Sequence, residues 1–495
     1  MTDGVNTNEG SLQKSIRSGK WFMISVVAQK LLNLVSFFVL VRLLSPKDYG
    51  ILTVALLFSG VIDRFAAPGF SIALIQRKES PEKMIDTVWT FDLLRATLLA
   101  VIIFLLGGVI AEIFKIEESY KILIKMSGIF FVIGSFSNSR QLYFFRDLDY
   151  KKIFFRDLAG QIANTIVSVA WAIFVSSTVW ALFIGQVSRH IVGAVSTYVL
   201  YPTAPRFSFR FRDLLGLVGY SKWVYGQNLL EYFLGAIDSM IVGRWLGPTN
   251  LGYYTRARDL PSMFSANLTG ILNKIGFSAY AKVQDKRDKI QEGFLKSLDL
   301  ILLSTIPFSL LLLVEGGFIV SVLFGQKWLP IVVPLKILSV YGVFFGLTGM
   351  IRPIFGAIGR PDLNFKSNLF QLLISVPIYF LGIKIAGVNG IAASAVLIAA
   401  ILLIYVLIQA RSFLRLLEDR VFYSIFGVVT ASLCSFLVVF LFRDFIHSLS
   451  SKPLLAAWII FLAFFYLFIL WLFTFVFKKG PWLTLRLVIK EIVRG

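Results

Sequence analysis

One cysteine in 495 residues, Cys434, excludes an internal disulfide and leaves no thiolate cluster for a metal. Only two histidines occur, His190 and His447, far apart, and neither belongs to a zinc-ligand spacing such as H-E-x-x-H. Charge is also scarce, at 16% of residues against about 25% in soluble proteins. Long polar loops are missing: none between apolar runs exceeds roughly twenty residues, and the short ones read "SPKDY", "SST", "GPTN" and "AGVNG". That leaves no room for a soluble catalytic domain on either face. The sequence therefore predicts no metal and no cofactor.

What the sequence does contain is apolar: 57% hydrophobic and 15% aromatic residues, with a mean hydropathy of +0.78. Such a chain is expected to be an all-α integral membrane protein. A helix needs about 20 apolar residues to cross a bilayer. On that rule there are about fourteen spans, near 21–43, 50–75, 87–110, 120–143, 154–177, 179–202, 221–246, 252–280, 293–318, 330–356, 365–386, 388–410, 421–442 and 453–477. The polar N-terminal stretch leads into a full-length span without a small-residue cleavage site, so it does not read as a removed signal peptide. About 28 Lys and Arg lie on the N-terminal side of the spans against about 9 on the other, which makes that side cytoplasmic and puts both termini inside. The formal charge of +21 follows from this bias and from attraction to anionic membrane lipids, so nucleic acid is not an expected partner. The last segment, 478–495, places Trp482, Leu485, Ile489 and Ile492 on one stripe and Arg486, Lys490 and Arg494 on another, the pattern of an interfacial amphipathic helix.

The chain writes one short turn twice. "VRLLSPKDYG" at 41–50 and "GRWLGPTNLG" at 243–252 both read Arg-x-Leu-x-Pro-x-x-x-Gly, so Arg42, Pro46 and Gly50 answer to Arg244, Pro248 and Gly252. "GKW" ending at Trp21 answers to "SKW" ending at Trp223, "RDLDYKK" to "PDLNFKS", and "FSIALIQRK" from Phe70 to "FSAYAKVQDK" from Phe277. Matched features recur across six spans each. An even number makes the copies parallel, with an axis along the membrane normal and a cleft between two lobes. The predicted organisation is an N-lobe over 1–202, a cytoplasmic inter-lobe linker over 203–220, a C-lobe over 221–410, two extra C-terminal spans within 411–477, and the interfacial helix. In the repeated turn, proline ends or opens a helix, glycine permits a tight return, and Asp48 or Asn250 can cap the following helix. Two readings stay open for it: a helical-hairpin turn whose arginines reach the outer headgroups, or a pair of basic residues framing the outer mouth of the cleft.

Ionisable residues inside a bilayer are expensive and mark a pathway or an internal pair. Lys30, Arg64, Arg189, Arg256, Arg258 and Lys274 are candidates to line a cavity that holds an anionic headgroup. Asp63, Glu231 and Asp238 are candidates for a gate or for ion coupling. Glu231 and Asp238 stand seven residues apart, two turns along one helix face, and Lys30 is nearly equivalent to Glu231 in the repeat. Asp92 and Arg95, three apart, suit an intrahelical pair. Basic residues outnumber acids in this set, which points to an anionic substrate, preferably a phosphate that arginine can grip through two nitrogens.

"VRLLSPKDYGIL" and "FFRDLDYKKIFFRD" resemble the polysaccharide-transport family of Wzx-type lipid-linked oligosaccharide flippases, in a superfamily with multidrug extruders and lipid II flippases. The resemblance implies translocation of an undecaprenyl-diphosphate-linked sugar repeat unit from the cytoplasmic to the outer leaflet of the cell inner membrane. The product would serve a surface polysaccharide, with the polysaccharide polymerase machinery as a further partner. No covalent chemistry is needed, so the chain is not expected to be an enzyme. The competing readings are a lipid II flippase, a multidrug or cation antiporter, and, in another class, a polysaccharide polymerase or ligase.

Overall fold

The computed structural model describes residues 28–66, 82–147, 149–414, 419–441 and 465–473, together with Phe70, Leu74 and Arg486. These residues form helices and no strand. In chain order the helices are α1 (28–43), α2 (Pro46–Ala66), α3 (Glu82–Ile113), α4 (Glu118–Met126), α5 (Ile129–Ser135), α6 (Leu142–Arg146), α7 (Tyr150–Phe174), α8 (Val179–Leu200), α9 (Leu215–Ala281), α10 (Arg287–Leu323), α11 (Val332–Ala357), α12 (Pro361–Ala410), α13 (Asp419–Leu441) and α14 (465–473). Trp21, Pro68, most of 453–477, and the interfacial helix apart from Arg486 lie outside the described residues.

Among the described residues, six helices are long and apolar enough to cross a membrane, and the 50 residues of Pro361–Ala410 are one of them. That helix is bent where the loop "AGVNG" predicts a return: Ala386 and Gly387 leave helical geometry, Gly387 with φ +54°. Likewise α9 breaks at Gly247 (φ +81°), where the second copy of the repeated turn stands. A left-handed residue costs glycine nothing, and Pro248 is preset to begin the next helix, so the sequence Gly-Pro ends one helix and starts another. Large side chains point away from the protein along the apolar helices: Leu105 of α3 is 70% exposed and Ile385 of α12 is 82% exposed. Surface of that kind is stable against lipid. The chain is a multi-pass membrane protein.

One expected span is not continuous. Residues 120–143 divide into α4, α5 and a short 3-10 turn at Ser139–Gln141. The Ser127 hydroxyl bonds the carbonyl of Ile124 at 2.8 Å and lies 2.7 Å from that of Ser59. Gly128 meets α3 so closely that a Cβ there would lie 2.6 Å from Ala100 Cα. Close approach through a small residue and local serine bonding bend the helix, and apolar periodicity does not report either.

The structure divides into two compact units between Tyr253 and Tyr254, with 323–327 belonging to the first. In the first unit, α3 packs with Leu74, Leu142 and Leu214 around Ile85 and Val88. In the second, Phe294, Leu298 and Ile301 of α10 pack with Ile351, Ile354 and Phe355 of α11 and Leu402 and Val406 of α12, all at most 5% exposed.

Candidate functional site

The two copies of the repeated turn meet within the first unit. A Cβ on Gly50 would lie 1.7 Å from the carbonyl oxygen of Pro248, and one on Gly252 would lie 1.8 Å from that of Pro46. The contact is reciprocal: each glycine packs against the backbone carbonyl at the proline position of the other copy, so both glycines are required by close approach.

Local hydrogen bonds brace the first copy. The Ser45 N–H donates to Asp48 Oδ2 at 2.9 Å and the Asp48 N–H donates to Ser45 Oγ at 3.3 Å, which makes Ser45 the cap and Asp48 its reciprocal partner. Asp48, 5% exposed, also accepts from the Val179 N–H at 2.8 Å and so satisfies the first turn of α8. Asn250 acts differently from a cap, donating its side-chain amide to the carbonyl of Leu246 at 2.8 Å. Arg42 donates Nε to the carbonyl of Leu323 at 3.1 Å, and its own carbonyl accepts from Lys327 at 2.7 Å. Arg244 lies over the ring of Trp245, 5.9 Å from the centroid. Arg42 thus ties the turn to 323–327 within the same unit.

In the same unit, Arg95 bridges two helices. It donates to Asp63 of α2 at 2.8 Å and stands 3.5 Å from Asp92 of its own helix, so the intrahelical pair expected from the spacing is the longer of its two. Nearby, Tyr232 donates to the carbonyl of Leu57 at 2.6 Å and fills the space over Gly60. Arg64, next to Asp63, is exposed. Glu231 is exposed and accepts from Gln227 at 3.2 Å, whereas Asp238 on the same helix is 4% exposed and accepts from the Ser239 hydroxyl at 3.1 Å. The two acids therefore share a helix and not an environment. Lys30 and Arg189 are half-buried, and His190 stacks on Phe130 at 5.6 Å.

In the second unit, Arg256 pairs with Asp259 at 2.8 Å and Arg258 lies over the ring of Tyr254 at 5.7 Å. Lys274 is helical, and its side chain lies outside the described residues. Arg352, not singled out by the sequence, donates to Asn368 at 2.8 Å. Between α11 and α12, the Asp362 carboxylate gripped by Arg360 at 2.9 Å pushes that guanidinium above its ordinary pKa.

Sequence reasoning also missed a polar cluster in the first unit. Arg140 pairs with Asp86 at 3.2 Å, and Arg156 donates to Gln141 at 2.6 Å and to Asp157 at 2.8 Å. Asn138 donates its amide to the carbonyls of Tyr201 and Thr203, holding the start of the linker, and Ser208 donates its N–H to Thr90 at 2.9 Å. These arginines belong to the positive charge at span ends, and nothing in that bias says which are paired. Gln161, 1% exposed, carries an amide without a hydrogen-bond partner. Among the described residues no three His, Cys, Asp or Glu side chains group to hold a metal ion.

The family described as polysaccharide biosynthesis protein matches residues 39–333, more than half of the chain and including both copies of the turn. The chain belongs to that family. It is 25% identical over 395 residues to the lipopolysaccharide biosynthesis protein WzxC of Escherichia coli (strain K12), a match covering 79% of each chain. To the teichuronic acid biosynthesis protein TuaB of Bacillus subtilis (strain 168) it is 25% identical over 371 residues, 74% of this chain and 76% of the relative. Its fold is that of the lipid II flippase MurJ in an inward closed conformation, with a TM-score of 0.70 at 15% identity over 92% of this chain and 98% of that one. An inward-facing multidrug resistance MATE family transporter follows at a TM-score of 0.59 and 14% identity, covering 78% of this chain and 95% of that one. This family member is thus a membrane protein whose described residues are helical and whose fold is shared with those two solved structures.

Proposed function

We propose that the protein is a flippase that carries a lipid-linked oligosaccharide across the cell inner membrane for surface polysaccharide synthesis. The observation that carries this reading is the meeting of two independent likenesses: a polysaccharide biosynthesis sequence family, and a fold shared with a lipid II flippase over 92% of the chain. The multidrug transporter shares the fold less closely, and the matching family is one of polysaccharide biosynthesis.

In this reading about fourteen spans form two parallel six-helix lobes, N-lobe 1–202 and C-lobe 221–410, with the cargo site between them. The reciprocal contact of Gly50 with Pro248 and Gly252 with Pro46 supports the repeat, because a twofold axis makes equivalent residues exchange partners. Both termini are cytoplasmic, and the undecaprenyl diphosphate moves outward. Lys30, Arg64, Arg189, Arg256, Arg258 and Lys274 contact its anionic head, while Asp63, Glu231 and Asp238 serve the gate or ion coupling. A polar headgroup cannot cross hydrocarbon without partners, each unsatisfied polar group costing several kcal/mol. The task is shielding, and no bond is made or broken, so the protein is a carrier and not an enzyme. An inside-negative potential favours outward movement of negative charge by about 2.3 kcal/mol per charge per 100 mV, provided that the empty carrier does not return the charge.

The test is a leaflet assay in cells depleted of the protein. The completed lipid-linked sugar should accumulate and stay protected from reagents added outside. Normal export together with altered drug accumulation would replace this reading with the multidrug one.

A further inference from the structure

A cavity of about 220 Å³ lies inside the first unit, at the end that carries the linker. Its wall combines two chemistries. Leu74, Val88 and Leu142 supply apolar carbon, and Asp92, Ser137, Gln141 and Arg156 supply polar groups. Trp89, 7% exposed, and Ser139 also belong to the wall, and the indole N–H and the hydroxyl have no hydrogen-bond partner.

The charge state of the wall restricts the ligand. Arg156 is already neutralised by Asp157, with Nη2 at 2.7 Å and Nε at 2.8 Å, and it donates a further bond to Gln141. Asp92 brings a carboxylate whose arginine, Arg95, makes its shorter bond to Asp63. A phosphate would meet that carboxylate and no uncommitted cation, so a lipid diphosphate is disfavoured. What the wall offers is an acceptor at Asp92, amide donors at Gln141, whose oxygen is occupied, and hydroxyls at Ser137 and Ser139 that do both. Donors, acceptors and apolar carbon in one small lining match a ring bearing several hydroxyls and C–H faces. The volume is below that of ordinary drug-sized pockets, about 300 to 1,000 Å³, and suits a single ring.

We propose that this cavity is a glycan-reading subsite that takes one neutral pyranose ring of the transported lipid-linked sugar. The assignment rests on the flippase reading above. Its place beside the linker puts it on the face read as cytoplasmic, so the sugar is inspected before translocation. Selectivity between repeat units then comes from the hydroxyl pattern, because a missing hydroxyl leaves a buried wall group unpaired.

The experiment uses the full-length protein in nanodiscs and saturation-transfer NMR with glucose, galactose, N-acetylglucosamine and glucuronate as separate probes. At least one neutral sugar should receive saturation from the wild type. Gln141→Leu, which removes the amide donors, and Val88→Phe, which fills the cavity, should each reduce the transfer at least fivefold. Equimolar pyrophosphate should not displace the sugar. The assignment is overturned if no neutral probe receives saturation, if Gln141→Leu matches the wild type, or if pyrophosphate displaces the sugar. Failure of the two readings looks different. Normal export in depleted cells removes the flippase reading whatever the sugars do, whereas trapped lipid-linked sugar with no transfer to any probe removes the subsite alone.

Discussion

Alanine at Gly50 or Gly252 is the sharpest probe of the repeated turn. The added Cβ would lie 1.7 Å from Pro248 O or 1.8 Å from Pro46 O, and in both cases the obstructing atom is backbone. Ordinary van der Waals contact starts at roughly 3.5 Å, so one copy must move by about 1.7 to 1.8 Å. A side chain could rotate away from such a clash, but a carbonyl held at the start of a helix moves only with its turn. Overpacking of this kind costs about 1 to 3 kcal/mol, and the backbone obstacle puts these substitutions near the upper end. The expected result for either variant is a melting midpoint several degrees below the wild type in detergent, with Gly193→Ala unchanged or slightly raised as the control. Gly193 is helical and has nothing within 4 Å of its missing Cβ, and alanine there gains about 0.5 to 1 kcal/mol of helix stability. The double alanine variant should lose less than the sum of the singles, because a turn displaced to admit one methyl has already relieved the other contact. If the contact forms in only one state of the carrier, the same 1 to 3 kcal/mol shifts the balance between states by about 5- to 150-fold, and transport falls with it. Wild-type melting and wild-type transport in both single variants would refute the reciprocal contact as a structural requirement.

Three other outcomes are expected. Asp48→Ala should cost about 2 kcal/mol in thermal stability, since it leaves the Ser45 and Val179 N–H groups without their acceptor; an unchanged midpoint would show that water replaces the carboxylate. Arg95→Gln should destabilise the protein more than the Asp63→Asn, Arg95→Gln double variant relative to Asp63→Asn alone, as expected for a pair bridging α2 and α3 at 2.8 Å, and purely additive losses in a double-mutant cycle would remove the pairing. Arg64→Ala and Arg258→Ala should slow leaflet transfer while leaving membrane insertion intact, and unchanged transport in both removes them from the headgroup site.

The residues that were easy to read from the sequence are those whose role is local. Gly247 and Pro248 break α9 where the motif "GPTN" demands a turn, and Ala386 and Gly387 do the same in α12, because helix termination depends on a few neighbouring dihedral angles. The apolar spans follow from length and composition, since lipid accepts any large hydrocarbon side chain. Partner choice is a different kind of information. Arg95 stands three residues from Asp92, an ideal intrahelical spacing, yet its shorter bond goes to Asp63 across a helix interface. Arg140, Arg156 and Asn138 look in sequence like ordinary polar residues at span ends, and their meaning comes from Asp86, Gln141 and the carbonyls of Tyr201 and Thr203, brought to them by packing. The repeat lies between these cases. The match of Pro46 and Gly50 to Pro248 and Gly252 is visible as a pattern, but the pattern alone allows two isolated hairpin turns. Their close approach through space adds a constraint that neither turn has alone: each glycine is fixed by the backbone carbonyl at the proline position of the other copy, so a side chain at either glycine requires the opposite turn to move.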